Sequence, residues 1–236
     1  MWPIPVLEHE LVSISFFPDA LVCSWIQKTK TGTAPLVLRA YQHYPLTNLE
    51  LENLIPFNPT VIKKCIISFL REHGLQNAFV TFCLCNDSGV MEKFVAMPIS
   101  TPHRSDFGIA QSSNMLWEYR YLYPNDHGQY VFYVYSIPRS LILQYQLLAV
   151  AAQCNLITIT TQTMALLDAY KTIFGVAFRR SQLAVDMMRY DNNVEQLISV
   201  DALRRMMSIP AGINTIDERL PIAAACGLMC VERIEE

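Results

Sequence analysis

Glycine is scarce in this chain, and its placement is the most informative absence. The eight glycines, at positions 32, 74, 89, 108, 128, 175, 212 and 227, are scattered over 236 residues. No two are spaced to form GxGxxG or GxxxxGK, which excludes a dinucleotide-binding fingerprint and a P-loop. GxSxG and HExxH are missing too, so neither a nucleophile elbow nor a zincin helix is encoded. Serine, histidine and aspartate are present, but no spacing assembles them into a catalytic set. The five histidines have no ligand spacing to each other or to a cysteine pair. Basic runs are absent as well. Lys63-Lys64, Arg179-Arg180 and Arg204-Arg205 are isolated pairs in a chain of net charge −3, which excludes a nucleic-acid footprint. Long apolar runs are lacking: Leu141 to Ile159 is broken by Gln144, Gln146, Gln153 and Asn155, and Leu220 to Val231 is too short to span a bilayer. Met1-Trp2-Pro3 offers no basic n-region of a signal peptide. The sequence therefore predicts a cytosolic protein without a membrane span.

What is abundant is apolar side chain. Hydrophobic residues make up 52% and charged ones only 17%. Two readings follow: a permanent partner covers apolar surface, or the core is simply large. The seven cysteines are odd in number, include no CxxC, and sit within apolar segments, as Cys65, Cys154 and Cys226 do. Cys83 and Cys85 share one face of an expected strand. A metal or redox pair and small buried hydrophobes are the two readings there, and the sequence favours the second, unpaired and buried in a sheet.

The hydrophobic periodicity predicts an α/β domain. Leu11 to Phe17 and Leu21 to Ile26, joined at Pro18-Asp19, read as a hairpin, and Leu36 to Tyr44 adds a third strand. Asn58 is expected to cap a helix with Pro59 at its first position, Val61, Ile62, Cys65, Ile66, Phe69 and Leu70 on its apolar face, and Gly74 at its end. Strands follow over Ala78 to Cys85 and Val90 to Met97, then a short helix over Ile109 to Trp117 and an aromatic alternating stretch over Glu118 to Tyr123. Val131 to Tyr135 is apolar on both faces and reads as a doubly covered strand. Ser136 and Pro138 then start a helix with Leu141, Tyr145, Leu148 and Ala152 on one stripe. Leu156 to Thr160 is the next strand and Gln162 to Ile173 the next helix, with Gly175 at its C′ end. This strand–helix–strand order predicts two strands of one sheet joined by a right-handed crossover. Beyond Gly175, Gln182 to Met188 and Val194 to Val200 read as a hairpin about Tyr190 to Asn193, with one helix over both runs as the alternative. Asp201 is expected to cap a short helix through Met207. Pro221 opens a last helix whose Ala223, Ala224, Ala225 and Gly227 allow close approach to its neighbours.

Several segments carry a resemblance: RAYQHYPL (39–46), FLREHGL (69–75), FVTFCLC (79–85), KFVAMP (93–98), YLYPN (121–125), VYSIPRSLILQY…AQCNLITITTQTMAL (134–166) and LPIAAACGLM (220–229). In this order they resemble the PilM family of type IV pilus and competence machines, in a compact, degenerate, HofM-like form. The resemblance implies an α/β, actin-like (FtsA/PilM-type) first lobe over residues 1–174, formed by the meander and an inserted subdomain. Residues 175–236 would be the remnant of a strongly truncated second lobe with its closing helix. It also implies a cytoplasmic subunit, peripheral to the inner membrane. Such a subunit binds the cytoplasmic tail of a bitopic, PilN-like inner-membrane protein and couples to the pilus motor and platform proteins.

The departures from the family pattern matter for chemistry. Family members open with a DxGxxxxK-like phosphate loop, and here that hairpin reads SISFFPDALVCSW, with Asp19 but no glycine. The second aspartate–glycine loop is matched only by VDMMRYDNN, which keeps Asp186. Asp19 and Asp186 thus stand at vestigial nucleotide positions. ATP with Mg is the family's ligand by resemblance, but backbone N–H groups cradle phosphates only where the loop comes close, so the expected cofactor is none. The resulting expectation is a non-enzymatic scaffold, with no catalytic residue and no metal site. The alternatives are a nucleotide-binding actin-like ATPase with an unusual site and a small-molecule enzyme on a generic α/β sheet.

Overall fold

The computed structural model describes residues 10–28, 36–46, 59–76, 78–84, 90–108, 114–174, 178–190, 193–205, 207–213 and 217–235. The chain opens with strands β1 (Glu10–Phe17), β2 (Ala20–Lys28) and β3 (Leu36–Pro45), helix α1 (Pro59–Glu72) and strand β4 (Phe79–Leu84). Strands β5 (Met91–Met97), β6 (Met115–Pro124) and β7 (Tyr130–Pro138) follow, then α2 (Arg139–Ala151), β8 (Asn155–Thr161) and α3 (Gln162–Phe174). The remainder is α4 (Arg180–Arg189), α5 (Val200–Leu203), β9 (Met207–Ser208) and α6 (Leu220–Glu235).

Six strands form a mixed sheet in the order β8-β4-β1-β2-β3-β9. β1, β2 and β3 are an antiparallel meander, while β4 runs parallel to β1 and β8 parallel to β4. Strand alternation sends Val12, Ile14, Phe16, Val80 and Phe82 to one face. There they pack under Ile62, Ile66 and Phe69 of α1 and Leu141, Tyr145 and Leu148 of α2. Gly74, at φ +71°, ends the turn after α1 in the left-handed conformation that glycine adopts without strain. Leu11, Phe17, Val22 and Ile26 are buried with α3 and α6 in a second cluster. The serines of β1 and β2 point to that side as well. Ser13 and Ser24 are fully buried, 2.8 Å apart, and both donate to the Ala223 carbonyl of α6, at 2.7 and 3.3 Å. Only a helix with a small face approaches a sheet this closely, and Ala223, Ala224 and Ala225 are all fully buried.

The other three strands form a separate antiparallel sheet, β5-β7-β6. This corrects the expectation that β7 and β8 are strands of one sheet, since α2 instead carries the chain from the small sheet to an edge of the large one. β7 is covered on both faces, but by two different clusters. Val131 and Tyr133 join the body, while Phe132 and Val134 pack with Met97 and Phe107 on the outer side. A side-chain network ties the two sheets. The Glu92 carboxylate accepts from Tyr133 Oη at 2.5 Å and Thr163 Oγ1 at 2.8 Å, and Tyr133 Oη lies 2.9 Å from Thr161 Oγ1.

Further expectations are corrected. β7 runs on through Ser136 to Pro138, and α2 begins at Arg139. Residues 115–117 belong to strand β6 rather than a helix, because the register with β7 continues through them. The run Gln182 to Met188 lies within helix α4, not a hairpin strand: Leu183, Ala184 and Met187 are its buried positions, at helical spacing. Val194–Leu197 is a 3-10 turn. The cap of α5 is Ser199, whose Oγ accepts from the Ala202 amide at 3.1 Å; Asp201 is inside the helix, and Met207 pairs with Leu36 in the large sheet. The expected cap Asn58, Gly175 and Cys85 lie outside the described residues.

Candidate functional site

The β1–β2 turn, Pro18-Asp19, sets the geometry of a cavity of about 590 Å³. Proline has no amide hydrogen, so the tip offers a carboxylate rather than a cradle of N–H groups. That carboxylate is engaged: Arg219 Nη2 donates to Asp19 Oδ2 at 2.7 Å. The guanidinium also faces Asp217 at 3.8 Å and lies over the Phe17 ring, 5.5 Å from its centroid. Asp217 in turn accepts from Tyr41 Oη at 2.7 Å and from the Arg219 amide at 3.0 Å. Burial, followed by the hydrogen bond to Asp217, raises the Tyr41 phenol well above its ordinary value, so it stays a donor. The loop before α6 is thereby fastened to the hairpin tip.

The remaining wall includes Gln162, Asn193, Glu195 and Glu218. Asp19, Glu195 and Glu218 set three carboxylates against the single guanidinium of Arg219, the wrong balance for a polyphosphate. Gln162, the first residue of α3, is buried, and its Nε2 has no acceptor among the described residues. No sequence signal pointed to Gln162 or Arg219, since neither stands in a recognisable motif.

Asp186 lies elsewhere. Its carboxylate accepts from Tyr170 Oη at 2.5 Å and from Gln182 Nε2 at 3.0 Å, joining α4 to α3. Burial and the Asp186 hydrogen bond hold the Tyr170 phenol above its usual range. The structure therefore does not bring Asp19 and Asp186 together around one cavity. Among the described residues no cluster of three or more His, Cys, Asp or Glu side chains is arranged to hold a metal. Cys23, Cys83 and Cys226 are buried and stand in no disulfide among the described residues.

A second concave surface is apolar. It lies between α1 and α2, about 420 Å³, walled by Pro59, Thr60, Lys63, Leu147, Leu148 and Ala151. Gln144 also lines it, and its Oε1 is buried with no donor among the described residues. Beside it, α2 shows solvent a continuous stripe at i, i+4 and i+7: Leu143 is 55%, Leu147 59% and Val150 74% exposed. A helix that shows three aliphatic side chains on its outer face is unlike an ordinary surface helix, on which exposed apolar residues are scattered singly. The lone charge lining the groove among the described residues is Lys63.

No protein-family model matches the chain, and no curated protein matches it in sequence. Solved structures do match in shape. One, described as a PilM-PilN type IV pilus biogenesis complex, aligns over 71% of this chain and 51% of its own, with a TM-score of 0.53 and 16% identity. The cytoplasmic domain of EpsL, an inner-membrane component of the type II secretion system of Vibrio cholerae, aligns over 66% of this chain and 58% of its own, with a TM-score of 0.40 and 10% identity. A Bacteroides thetaiotaomicron protein with an actin-like ATPase fold aligns over 73% of this chain and 59% of its own, with a TM-score of 0.35 and 12% identity. The chain thus spans about half the length of the PilM-PilN chain it matches. At 16% identity the likeness to the PilM-PilN chain speaks for the fold alone: this is an α/β protein built on a mixed central sheet, with a fold similar to that chain's.

Proposed function

We propose that the protein is a non-enzymatic scaffold of a type IV pilus, competence or related secretion assembly, and that it binds the cytoplasmic tail of a PilN-like inner-membrane protein. The observation that carries this reading is the apolar groove between α1 and α2 with the exposed Leu143–Leu147–Val150 stripe beside it. An apolar tail laid along α2 buries that stripe, and a backbone N–H of the tail satisfies Gln144 Oε1. The fold shared with the PilM-PilN complex supports the class of partner. No described helix is long and apolar enough to cross a membrane, so attachment through the partner is part of the proposal. Coupling to the pilus motor and platform proteins belongs to the same reading.

The test is co-purification of the full chain with the bitopic protein. Removing the cytoplasmic residues of that protein should abolish binding. Leu147→Glu should weaken it at least about tenfold, equivalent to about 1.4 kcal/mol, while an unchanged circular dichroism spectrum reports an intact fold. Binding that survives both changes overturns the groove assignment.

A nucleotide-binding reading is favoured by one observation, the cavity beside Asp19 with the unpaired Gln162 donor. The three carboxylates, the proline at the hairpin tip and the Arg219 ion pair oppose it. Calorimetry with Mg-ATP and a non-hydrolysable analogue decides: the scaffold reading expects no heat of binding, and a low-micromolar dissociation constant refutes it.

A further inference from the structure

The cleft between β6 and helices α3 and α4 holds about 310 Å³ and has chemistry of the opposite sign from the hairpin cavity. Three cations converge on it: Arg120 from β6, Lys171 from α3 and Arg180 from the first turn of α4. A single carboxylate, the buried Asp168, also lines it, and this group is taken up by an ion pair with Arg120. Arg180 is held over the Tyr121 ring, 5.0 Å from guanidinium carbon to centroid. Stacking of this kind uses the face of the guanidinium and leaves its in-plane N–H donors for an oxygen ligand. Among the described residues, neither Lys171 nor Arg180 has a carboxylate partner. The floor is apolar, formed by the buried side chains of Leu122, Leu167 and Leu183.

From this arrangement we infer that the cleft is a docking site for an acidic peptide segment, with a carboxylate between Lys171 and Arg180 and a neighbouring aliphatic side chain on the leucine floor. Two unpaired cations beside a hydrophobic hollow match a carboxylate next to an apolar group, and repel the basic segments that would otherwise compete. The floor distinguishes a peptide from a bare oxyanion, which has nothing to place against three leucines. The site is separate from the groove on α2 and does not depend on it.

The experiment is a heteronuclear NMR titration of the full chain with a tetrapeptide of two glutamates followed by two leucines, its glutamine counterpart, and inorganic phosphate. The acidic tetrapeptide should shift the amides of Leu122 and Leu183 saturably. The glutamine version should bind at least about tenfold more weakly, and salt should weaken the acidic peptide severalfold as screening grows. The double variant K171Q/R180Q changes only exposed side chains and should abolish the shifts while keeping the spectral dispersion of the wild type. Leu147→Glu should leave them in place. Equal binding of the glutamine peptide, shifts confined to other surfaces, or no saturation by the acidic peptide overturns the inference. So does phosphate that binds more tightly than the peptide, since the site would then serve a free oxyanion.

Discussion

The close approach of α6 to β2 gives a sharp test of the fold's construction. Helix α6 lies so close to β2 that a Cβ placed on Gly227 would sit 2.3 Å from Ile26 Cδ1 and 3.2 Å from its Cγ1. Ile26 is fully buried, so any shift of its terminal methyl has to be made against the packed core. Gly227→Ala therefore combines two opposed effects. The better helix former contributes about 1 kcal/mol of stability. Overpacking costs about 1–3 kcal/mol. A net loss of up to about 2 kcal/mol is expected. Ile26→Val deletes the offending methyl and alone costs about 0.5–1.5 kcal/mol. In that background Gly227→Ala should become neutral or stabilising, which gives a coupling of about 1–2 kcal/mol in a double-mutant cycle. Urea unfolding followed by tryptophan fluorescence measures all four proteins, with unchanged m-values as the check on two-state behaviour. If Gly227→Ala stabilises the protein by about 1 kcal/mol while Ile26 is intact, or if the cycle shows no coupling, α6 does not approach the sheet as described.

Other predictions follow from the network between the sheets and from the buried thiols. Tyr133→Phe leaves Glu92 with Thr163 alone and Thr161 Oγ1 without the phenol, and should cost about 1–3 kcal/mol in the same urea assay. An unchanged midpoint would refute the tether. Burial pushes the Cys154 thiol up to about 12, so the folded state holds its proton after the unfolded chain has lost it. The stabilisation is complete below an unfolded thiol pKa of about 8.5 and drains away as pH rises from there towards 12. Thermal melts from pH 7 to 11 should show a fall beginning near pH 9, and Cys154→Ala should remove part of it. Native-state thiol labelling of Cys23, Cys83 and Cys226 should be slow compared with labelling in urea, and fast labelling of the native protein contradicts their burial.

Much of the fold was legible because strong local signals agreed with the global arrangement. The β1–β2 hairpin, β3, α1, β4, β8 and α3 all stand where the sequence predicts them: α1 by its single apolar face, and the strands and the largely buried α3 by short apolar or β-branched runs. The small sheet was less readable. β7 has the composition of a doubly covered strand, but composition does not tell which two clusters cover it. α4 was misread because Gln182 to Met188 is too short for a periodicity of two to be told from one of 3.6. Ser13 and Ser24 alternate with apolar neighbours as solvent-facing residues would, yet they are buried because a backbone carbonyl of α6 meets them. The candidate sites were the least legible part. Arg219 reaches Asp19 from 200 residues away in sequence, and Arg120, Lys171 and Arg180 converge from three elements. Contacts of that range leave no mark on local patterning.

The small sheet's place in the chain has a consequence for how the molecule changes over generations and in the laboratory. Its first strand residue, Met91, stands opposite Ser136, three positions before α2 begins at Arg139. The polypeptide thus goes out and comes back through adjacent strands, and the loop that closes the body around this excursion has ends lying side by side. Closing a loop whose ends already touch costs little, and lengthening it costs only about 0.6 kcal/mol per doubling. Chain closure therefore sets little limit on the length of the β5-β6-β7 excursion, and the limit comes instead from packing, because Leu122, Tyr123, Val131 and Tyr133 belong to the core shared with α3 and α6. Glu92 and Tyr133 of this unit meet Thr161 and Thr163 of the body, and Arg120 pairs with Asp168, so an exchanged unit has to reproduce these groups as well as its inward apolar face.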